Sequence, residues 1–293
     1  MIRDAEIERL AEEITRRVLA ALDSRSSTPA CPGVSGECSA CGRCAEVRAD
    51  EAAAIRAAGA ARLASGSGIG KVRTDLASII DHTLLKPEAT REQLQKLCEE
   101  AVRHGFYSVC VNSANVGFCA GLLAGTGVIP VAVVGFPLGA MAPEAKAFEA
   151  RQAVRDGARE IDMVINIGKL KSADHEYVFE DIVSVVAASR PHPVKVIIEA
   201  SNLTDEEKVA AAALAAAAGA RFVKTSTGFG AGGATVEDVQ LIRRVVGDRM
   251  EIKASGGVKS TSDADAMVAA GATRIGASAS VAIVTGGTSK ATY

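Results

Sequence analysis

Eight short runs of mostly β-branched and aliphatic residues alternate with alanine-rich segments in the C-terminal three-quarters of the chain. The runs predict strands at residues 78–81, 108–111, 131–134, 160–166, 195–199, 222–225, 251–254 and 273–276. Helices are predicted between them at residues 91–104, 143–157, 176–189, 205–218, 236–246 and 262–270. Eight strands that alternate with helices in a stretch of about 220 residues predict an α/β fold, the (β/α)8 TIM barrel. An open doubly wound sheet is the alternative, but no G-x-G-x-x-G run follows the first predicted strand.

Composition limits the kind of core and the kind of partner. Aromatic residues make up 3% of the chain and tryptophan is absent, so the core must be aliphatic. The formal net charge of −2 gives no reason to expect nucleic acid or an anionic membrane as partner. No apolar run reaches the roughly 20 residues that span a bilayer, and the charged N-terminus is unlike a secretory signal. We therefore expect a cytoplasmic protein, in which the seven cysteines are normally reduced.

Two lysines interrupt predicted strands that should be almost wholly apolar. Lys224 lies in FVKTSTGFG and Lys253 in EIKASGG, on neighbouring strands. Catalytic residues of TIM barrels sit at the C-terminal strand ends, and strands buried on both faces are otherwise apolar. A single lysine could reach solvent past its strand end, but two of them, each followed by small residues and glycine, favour a functional site. The other polar residues near predicted strand ends are Asp81, Cys110, Asn112, Asp162, Asn166 and Glu199.

The residue types in this set point to a specific chemistry. A lysine amine must be neutral to attack a carbonyl, yet its ordinary pKa of about 10.4 keeps it protonated near neutral pH. Burial and a nearby cation both lower that pKa, and Lys253 would be the cation beside Lys224. Asp162 would supply a carboxylate for proton transfer. The set predicts Schiff-base chemistry, which needs neither a metal ion nor a cofactor.

Glycines that follow the last three predicted strands suggest a phosphate site. In TIM barrels the loops after the last strands often bind phosphate, and glycine lets backbone N–H groups approach the anion closely. A single glycine is more often part of an ordinary turn, but here one occurs after each of the three strands. The candidate phosphate-binding residues are Gly228, Gly256, Gly257 and Ser278.

Several long strings resemble deoxyribose-phosphate aldolase, in the family's order and across about residues 73–293. They are IDHTLLKPEAT (80–90), VCVNSANV (109–116), VVGFPLGA (133–140), KAFEARQAVRDGAREIDMVINIGKLKS (146–172), VKVIIEA (194–200), FVKTSTGFG (222–230), IKASGGVK (252–259) and TRIGAS (273–278). The resemblance implies reversible cleavage of 2-deoxy-D-ribose 5-phosphate to D-glyceraldehyde 3-phosphate and acetaldehyde. It also implies a homo-oligomer, either a dimer or a tetramer.

By position in these motifs, the resemblance assigns roles to individual residues. Lys224 is the Schiff-base lysine, Lys253 is the second lysine that lowers its pKa, and Asp162 relays protons with a bound water. Asp81 positions Lys253, and the tail residue Tyr293 helps to move a proton at the acetaldehyde methyl carbon; a flexible tail is the alternative for Tyr293. Cys110 falls near the site without an essential role, and Gly228, Gly256, Gly257 and Ser278 hold the substrate phosphate.

One departure from the family pattern concerns the phosphate site. The last strand is followed by GASAS, where many members have two consecutive serines, so Ala279 removes one hydroxyl. A hydrogen bond to a charged group contributes roughly 1.5–3 kcal/mol. We therefore expect weaker phosphate binding or a broader aldehyde range. Two other functions stay open at this point: a different Schiff-base barrel enzyme, and a catalytically silent barrel that acts as a scaffold or cargo protein.

The first 25 residues have the pattern of an amphipathic helix. Ile7, Leu10, Ile14 and Val18 recur at helical spacing, and glutamate and arginine occupy the other face. With the linker that follows, the segment resembles the encapsulation peptides of enzymes inside bacterial microcompartments. Residues 1–22 would then bind a shell or cargo protein. The alternatives are a helix packed on the barrel and a coiled coil between subunits.

Residues 26–70 form a cysteine-rich linker between this helix and the predicted aldolase domain, residues 71–293. Its four cysteines follow the spacing C-x6-C-x2-C-x2-C and are Cys31, Cys38, Cys41 and Cys44. Four thiolates at such spacing suit a zinc ion or an iron–sulfur cluster. The alternative is a linker that is rich in cysteine without binding a metal.

Overall fold

The described part of this computed structural model, residues 4–23 and 73–287, contains a closed barrel of eight parallel strands. The strands are β1 (Ile80–Leu84), β2 (Ser108–Asn112), β3 (Ile129–Val134), β4 (Glu160–Val164), β5 (Val194–Ile197), β6 (Phe222–Lys224), β7 (Glu251–Ser255) and β8 (Arg274–Ala277). They pair in chain order, and β8 pairs with β1 to close the barrel. The TIM barrel predicted from the sequence is confirmed, and the open doubly wound sheet is wrong.

Helices cover the outside of the barrel. In the described ranges they are α1 (Asp4–Asp23), α2 (Thr74–Ala77), α3 (Arg91–His104), α4 (Val116–Leu123), α5 (Pro143–Arg155), α6 (Ile167–Lys171), α7 (His175–Ser189), α8 (Asp205–Ala217), α9 (Val236–Val246), α10 (Thr261–Ala269) and α11 (Ser280–Thr285). The predicted bounds of α3 and α9 are confirmed, whereas α2, α4, α6 and α11 were not predicted. These four are short, at roughly two helical turns or fewer, so a helical period does not stand out in them.

Side-chain caps fix where several helices begin. Thr90 precedes α3, and its backbone N–H donates to Gln93 Oε1 at 2.9 Å while Gln93 N–H returns a bond to Thr90 Oγ1. Thr204 and Glu207 form the same reciprocal pair at the start of α8. Such a pair satisfies N–H groups that have no acceptor within the first helical turn. The S/T-x-x-E/Q spacing therefore fixes the start of these two helices, α3 and α8.

The main hydrophobic core lies between the barrel and its helices. Alternate strand residues such as Ile161, Val223 and Ile252 point outward into it and are fully buried. A second, smaller apolar cluster comprises Leu85, Cys110, Val131 and Val133, with Phe136 packed against it. It covers only the β2–β3 side, so most of the space enclosed by the barrel is left to polar and charged side chains.

Helix α1 shares the core of the barrel. Ile7 and Ile14 are buried in the main hydrophobic cluster, and Leu10 and Ala11 pack against it. This is the helix predicted at the N-terminus, and its apolar face packs within the chain itself. Cys31, Cys38, Cys41, Cys44 and Tyr293 lie outside the described residues. Within the described ranges no helix is long and apolar enough to cross a membrane.

Candidate active site

Lys224 and Lys253 lie side by side inside the barrel. They are direct partners in the parallel pairing of β6 and β7, so both side chains leave the sheet at the same level and on the same face. Both are buried, with 2% and 0% of their surface exposed. The alternative reading, in which such lysines simply reach solvent, is therefore wrong for both.

Asp162 joins the two lysines. Lys224 Nζ donates to Asp162 Oδ2 at 2.9 Å, and Lys253 Nζ donates to the same oxygen at 2.7 Å. Lys253 Nζ also lies 2.5 Å from Asp81 Oδ2, on β1, which only β8 separates from β7. The structure thus brings together four of the residues singled out in the sequence, from strands β1, β4, β6 and β7.

Three further charged side chains extend this cluster toward the N-terminal end of the barrel. Lys195 Nζ donates to Asp162 Oδ1 at 2.8 Å and also contacts Glu160. Arg274 Nη1 donates to Asp81 Oδ1 and to Glu160 Oε2, both at 2.9 Å. Each carboxylate therefore has at least two basic partners in the buried interior of the barrel.

The pKa values of these groups separate Lys224 from the other bases. Burial lowers the pKa of Lys224, and the nearby Lys253 ammonium lowers it further against the opposing attraction of Asp162. Burial also disfavours the charged forms of Lys195 and Lys253, but their carboxylate partners outweigh it and raise both pKa values. Burial likewise opposes ionisation of Asp162, yet the three lysines hold its pKa well below the usual range.

A count of charges gives the same result. The buried cluster holds four bases, Lys195, Lys224, Lys253 and Arg274, and three acids, Asp81, Glu160 and Asp162. One surplus positive charge in a low-dielectric interior is costly, so the cluster is balanced when one base is neutral. Lys224 is the base of this cluster whose pKa is lowered, so it loses its proton more readily than the other three.

The glycine loops form a cavity of about 360 Å³ at the C-terminal end of the barrel. Its lining includes all four candidate phosphate residues, Gly228, Gly256, Gly257 and Ser278. Lys259 and Ala279 also line it, and Lys259 contributes an exposed cation. Gly228, Gly256 and Gly257 have φ angles of +86°, +82° and +79°, a region that residues with a side chain rarely adopt. The conformation of these loops therefore depends on glycine.

Comparison with known proteins gives this arrangement a family. The model of the family described as DeoC/LacD family aldolase matches residues 76–287. This chain belongs to the DeoC/LacD aldolase family. It is 56% identical over 222 residues to a deoxyribose-phosphate aldolase of Clostridium perfringens, with 75% of this chain and 99% of that protein covered. It is 59% identical over 206 residues to a deoxyribose-phosphate aldolase of Coprothermobacter proteolyticus, covering 70% of this chain and 94% of that one.

A solved structure shares the fold of this DeoC/LacD aldolase. The deoxyribose-phosphate aldolase of Aeropyrum pernix, described as a unique tetrameric structure, superposes with a TM-score of 0.68 at 36% identity. The superposition covers 72% of this chain and 90% of that one.

Several residues of the charged cluster and of the glycine cavity were not predicted from the sequence. Lys195 is a lysine in an apolar strand, VKVII, and the rule that singled out Lys224 would have found it. Glu160 and Arg274 stand at strand starts, where a charged residue is usually a solvated strand end. Lys259 follows Gly256-Gly257-Val258 and gave no signal, because a lysine near a turn is ordinarily exposed.

Two polar residues grouped with the site have other partners in this aldolase. Asn166 Oδ1 accepts from Lys169 N–H at 3.1 Å and caps helix α6. Strand β4 ends at Val164, two residues earlier than predicted, so Asn166 lies beyond the strand and not at its end. Asn112 Nδ2 donates to Leu85 O at 3.0 Å and ties the end of β2 to the loop after β1. Cys110 lies in the small apolar cluster inside the barrel, where burial raises its pKa and keeps it a thiol.

Proposed function

We propose that this chain cleaves 2-deoxy-D-ribose 5-phosphate reversibly to D-glyceraldehyde 3-phosphate and acetaldehyde, through a Schiff base on Lys224. The name of its relatives, deoxyribose-phosphate aldolase, supports this reaction. The observation that carries the assignment of the lysine is the shared acceptor, Asp162 Oδ2, which lies 2.9 Å from Lys224 Nζ and 2.7 Å from Lys253 Nζ. This contact supports a site in which the Lys224 amine, the Lys253 ammonium and the Asp162 carboxylate act together.

The chemistry follows from a neutral Lys224. Its nitrogen attacks the C1 aldehyde carbon of the open-chain sugar, and loss of water gives an iminium ion. Removal of the proton from the C3 hydroxyl lets the C2–C3 bond break, and its electron pair neutralises the iminium to an enamine. D-Glyceraldehyde 3-phosphate leaves at this point. The enamine then takes a proton at C2, and water releases acetaldehyde and regenerates the amine.

The neighbours of Lys224 suit the proton transfers. Asp162 is ionised and touches both lysines, so it is placed to pass a proton between the substrate and the lysine pair. Lys253 stays an ammonium, held by Asp81 at 2.5 Å as well as by Asp162. Asp81 therefore acts through Lys253, by fixing the position of its ammonium group.

The glycine cavity suits the 5-phosphate of the substrate. Backbone N–H groups of the glycine loops, the Ser278 hydroxyl and the Lys259 ammonium are the donors that a phosphate needs. The Lys259 ammonium is a compact positive charge, which strengthens binding of a phosphate dianion without fixing the orientation of the anion.

Trapping of the Schiff base tests the assignment. The protein is incubated with acetaldehyde and borohydride, and its peptides are mapped by mass spectrometry. We expect an N-ethyl group on Lys224 and none in Lys224→Met. Lys96→Arg, which changes an exposed lysine on α3, is the matched control and should be trapped like the unchanged protein. Folded protein with no adduct on Lys224 would favour the catalytically silent scaffold.

For the N-terminal helix we propose binding to a shell or cargo protein of a bacterial microcompartment, with the enzyme otherwise cytoplasmic. Its length and its charged outer face support a docking segment. Because Ile7 and Ile14 are buried in the core, the partner would have to displace the helix from the barrel. Residues 1–25 fused to a fluorescent protein should give foci in a host that forms compartments. Diffuse fluorescence would count against targeting.

For the linker we propose that Cys31, Cys38, Cys41 and Cys44 bind zinc or an iron–sulfur cluster. The spacing of the four thiols supports this. Elemental analysis of the purified protein should find one metal site that disappears when all four residues become serine. Equal metal content in both proteins would contradict it.

We also propose that the enzyme is a homo-oligomer. Leu138, Met141 and Phe148 are large apolar residues with 75%, 40% and 63% of their surface exposed, close together in sequence. Exposed apolar groups of this kind are common at subunit contacts. Light scattering should give the mass of a dimer or tetramer, and a monomer mass would contradict the proposal.

A further inference from the structure

Glu199 combines burial with an unusual backbone conformation. It follows strand β5 at the C-terminal end of the barrel and is 3% exposed. Its φ and ψ angles are +52° and +64°, in the left-handed region that costs free energy for any residue with a side chain. Within the described residues, Ala173 is the other non-glycine residue with a positive φ, at +56°. Such a conformation persists only where surrounding contacts enforce it.

The carboxylate of Glu199 holds the loop after β6. Thr227, three residues beyond Lys224, donates both its hydroxyl and its backbone N–H to Glu199 Oε2, the latter at 3.2 Å. Thr227 Oγ1 in turn accepts from Phe229 N–H at 3.0 Å. One carboxylate oxygen thus fixes the first residues of the loop, and the other oxygen, Oε1, is buried and has no hydrogen-bond partner among the described residues.

The same loop forms one wall of the glycine cavity. Gly228, Gly230, Gly232 and Gly233 line the cavity. A Cβ on Gly230 would lie 3.0 Å from Glu199 Cδ, so the loop backbone packs directly on the carboxylate. A Cβ on Gly232 would lie 2.7 Å from Ser201 Cβ, in the turn that Glu199 begins. The position of the wall is therefore set by the turn after β5.

We propose that Glu199 is a positioning residue for phosphate recognition: its carboxylate holds Thr227 and thereby fixes residues 228–233 as a wall of the phosphate cavity. The inference rests on the proposed function. It assigns to Glu199 no contact with the reacting carbons and no proton transfer. Its loss should weaken binding of the phosphorylated sugar and leave the chemistry at Lys224 intact.

The variant Glu199→Gly distinguishes the effect of losing the carboxylate from the effect of changing the backbone conformation. Glycine adopts a φ of +52° without strain, so this variant is expected to fold, and it removes both bonds to Thr227. We expect KM for 2-deoxyribose 5-phosphate to rise about tenfold, as for loss of one charge-assisted hydrogen bond. For unphosphorylated 2-deoxyribose, kcat/KM should change less than about twofold. Thr227→Val should reproduce the effect, and Thr227→Ser should retain the original KM.

Ala173→Gly is the matched control, because it relieves the other positive φ away from the cavity and should leave both substrates unaffected. Unchanged KM for the phosphorylated sugar in Glu199→Gly would overturn the inference, as would an equal loss for both sugars. Borohydride trapping by acetaldehyde keeps the two proposals apart. A missing Lys224 adduct in the unchanged protein defeats the proposed function, whereas a normal adduct with unchanged KM in Glu199→Gly defeats only the role of Glu199.

Discussion

Lys224 and Lys253 are register partners on adjacent strands and donate to the same carboxylate oxygen, Asp162 Oδ2. Two ammonium groups on one oxygen would repel each other strongly in a buried site. The pair is therefore more stable when one of the two is neutral. Burial disfavours the charge on both lysines, but Asp162 and Asp81 outweigh it at Lys253, whereas at Lys224 the pKa stays lowered. The Lys253 ammonium beside Lys224 thus favours the neutral form of the Lys224 amine.

The first prediction concerns the pH dependence of cleavage. Because the pKa of Lys224 is lowered, kcat/KM should rise with pH until Lys224 is neutral and then level off. Lys253→Met removes a cation that lowers this pKa, so the rising limb should move to higher pH. If the limb moves by about one pH unit, the rate at a fixed pH on it should fall about tenfold. An unchanged limb in Lys253→Met would show that Lys253 does not act on the Lys224 amine.

The second prediction concerns acid stability. The pKa values of Asp81 and Asp162 in the folded protein lie below the unfolded value of about 3.9. The two carboxylates therefore contribute fully to the free energy of unfolding when the pH is above the unfolded pKa. This contribution is lost as the pH falls through the lower pKa values of the folded protein. Urea unfolding should show a free energy of unfolding that falls steeply below about pH 4. In Asp162→Asn that fall should be shallower.

Asp162→Asn should also lower stability near neutral pH. With Lys224 neutral, it leaves three buried cations and two carboxylates, and an unpaired buried charge costs about 3–5 kcal/mol. Glu88→Gln removes an exposed carboxylate and is the control, with an expected change below about 0.5 kcal/mol. Equal effects of the two substitutions would contradict the charge count.

The third prediction concerns a buried ion pair outside the barrel. Lys146 Nζ lies 2.5 Å from Asp181 Oδ2 and donates to Val164 O at 2.8 Å, at the end of the strand that carries Asp162. Burial lowers the pKa of Lys146 and raises that of Asp181, so desolvation outweighs their mutual attraction. Lys146→Met leaves the buried Asp181 carboxylate without its cation. The free energy of unfolding in urea should therefore fall by about 3–5 kcal/mol.

The double variant Lys146→Met with Asp181→Leu provides the comparison. It removes both charges, so it should recover at least half of the loss seen in Lys146→Met. If the double variant is as unstable as the sum of its two single changes, the two charges are not coupled, and the cost of Lys146→Met does not come from an unpaired Asp181.

The fourth prediction concerns affinity for phosphate. Ala279 lines the cavity, and Ala279→Ser restores a hydroxyl that could donate to the anion. KM for 2-deoxyribose 5-phosphate should fall about tenfold, whereas KM for 2-deoxyribose should stay the same. Lys259→Met should have the opposite effect, and its effect should shrink at high ionic strength. An Ala279→Ser variant that binds both sugars as before would show that the hydroxyl does not reach the phosphate.

The sequence by itself determined the barrel and its chemistry. Eight alternating strand and helix patterns predicted the fold, because each β-α unit buries one apolar face against its neighbours. Lys224 and Lys253 stood out because a charged residue in an apolar strand contradicts the local pattern, and the motif strings named the family. The predicted starts of the helices at residues 91 and 205 agree with the structure, where local caps at Thr90 and Thr204 fix them.

Only the tertiary structure decided which charges meet. Asp81, Lys195 and Arg274 belong to strands far apart in the chain, and closure of the barrel places them in one cluster. The opposite pKa shifts of Lys224 and Lys253 depend on distances and burial that no local pattern contains. Glu199 likewise gave no sign of its left-handed backbone or of its bond to Thr227, because both arise where two loops pack together. Local pattern sets the elements, and packing sets the protonation states and the shape of the cavity.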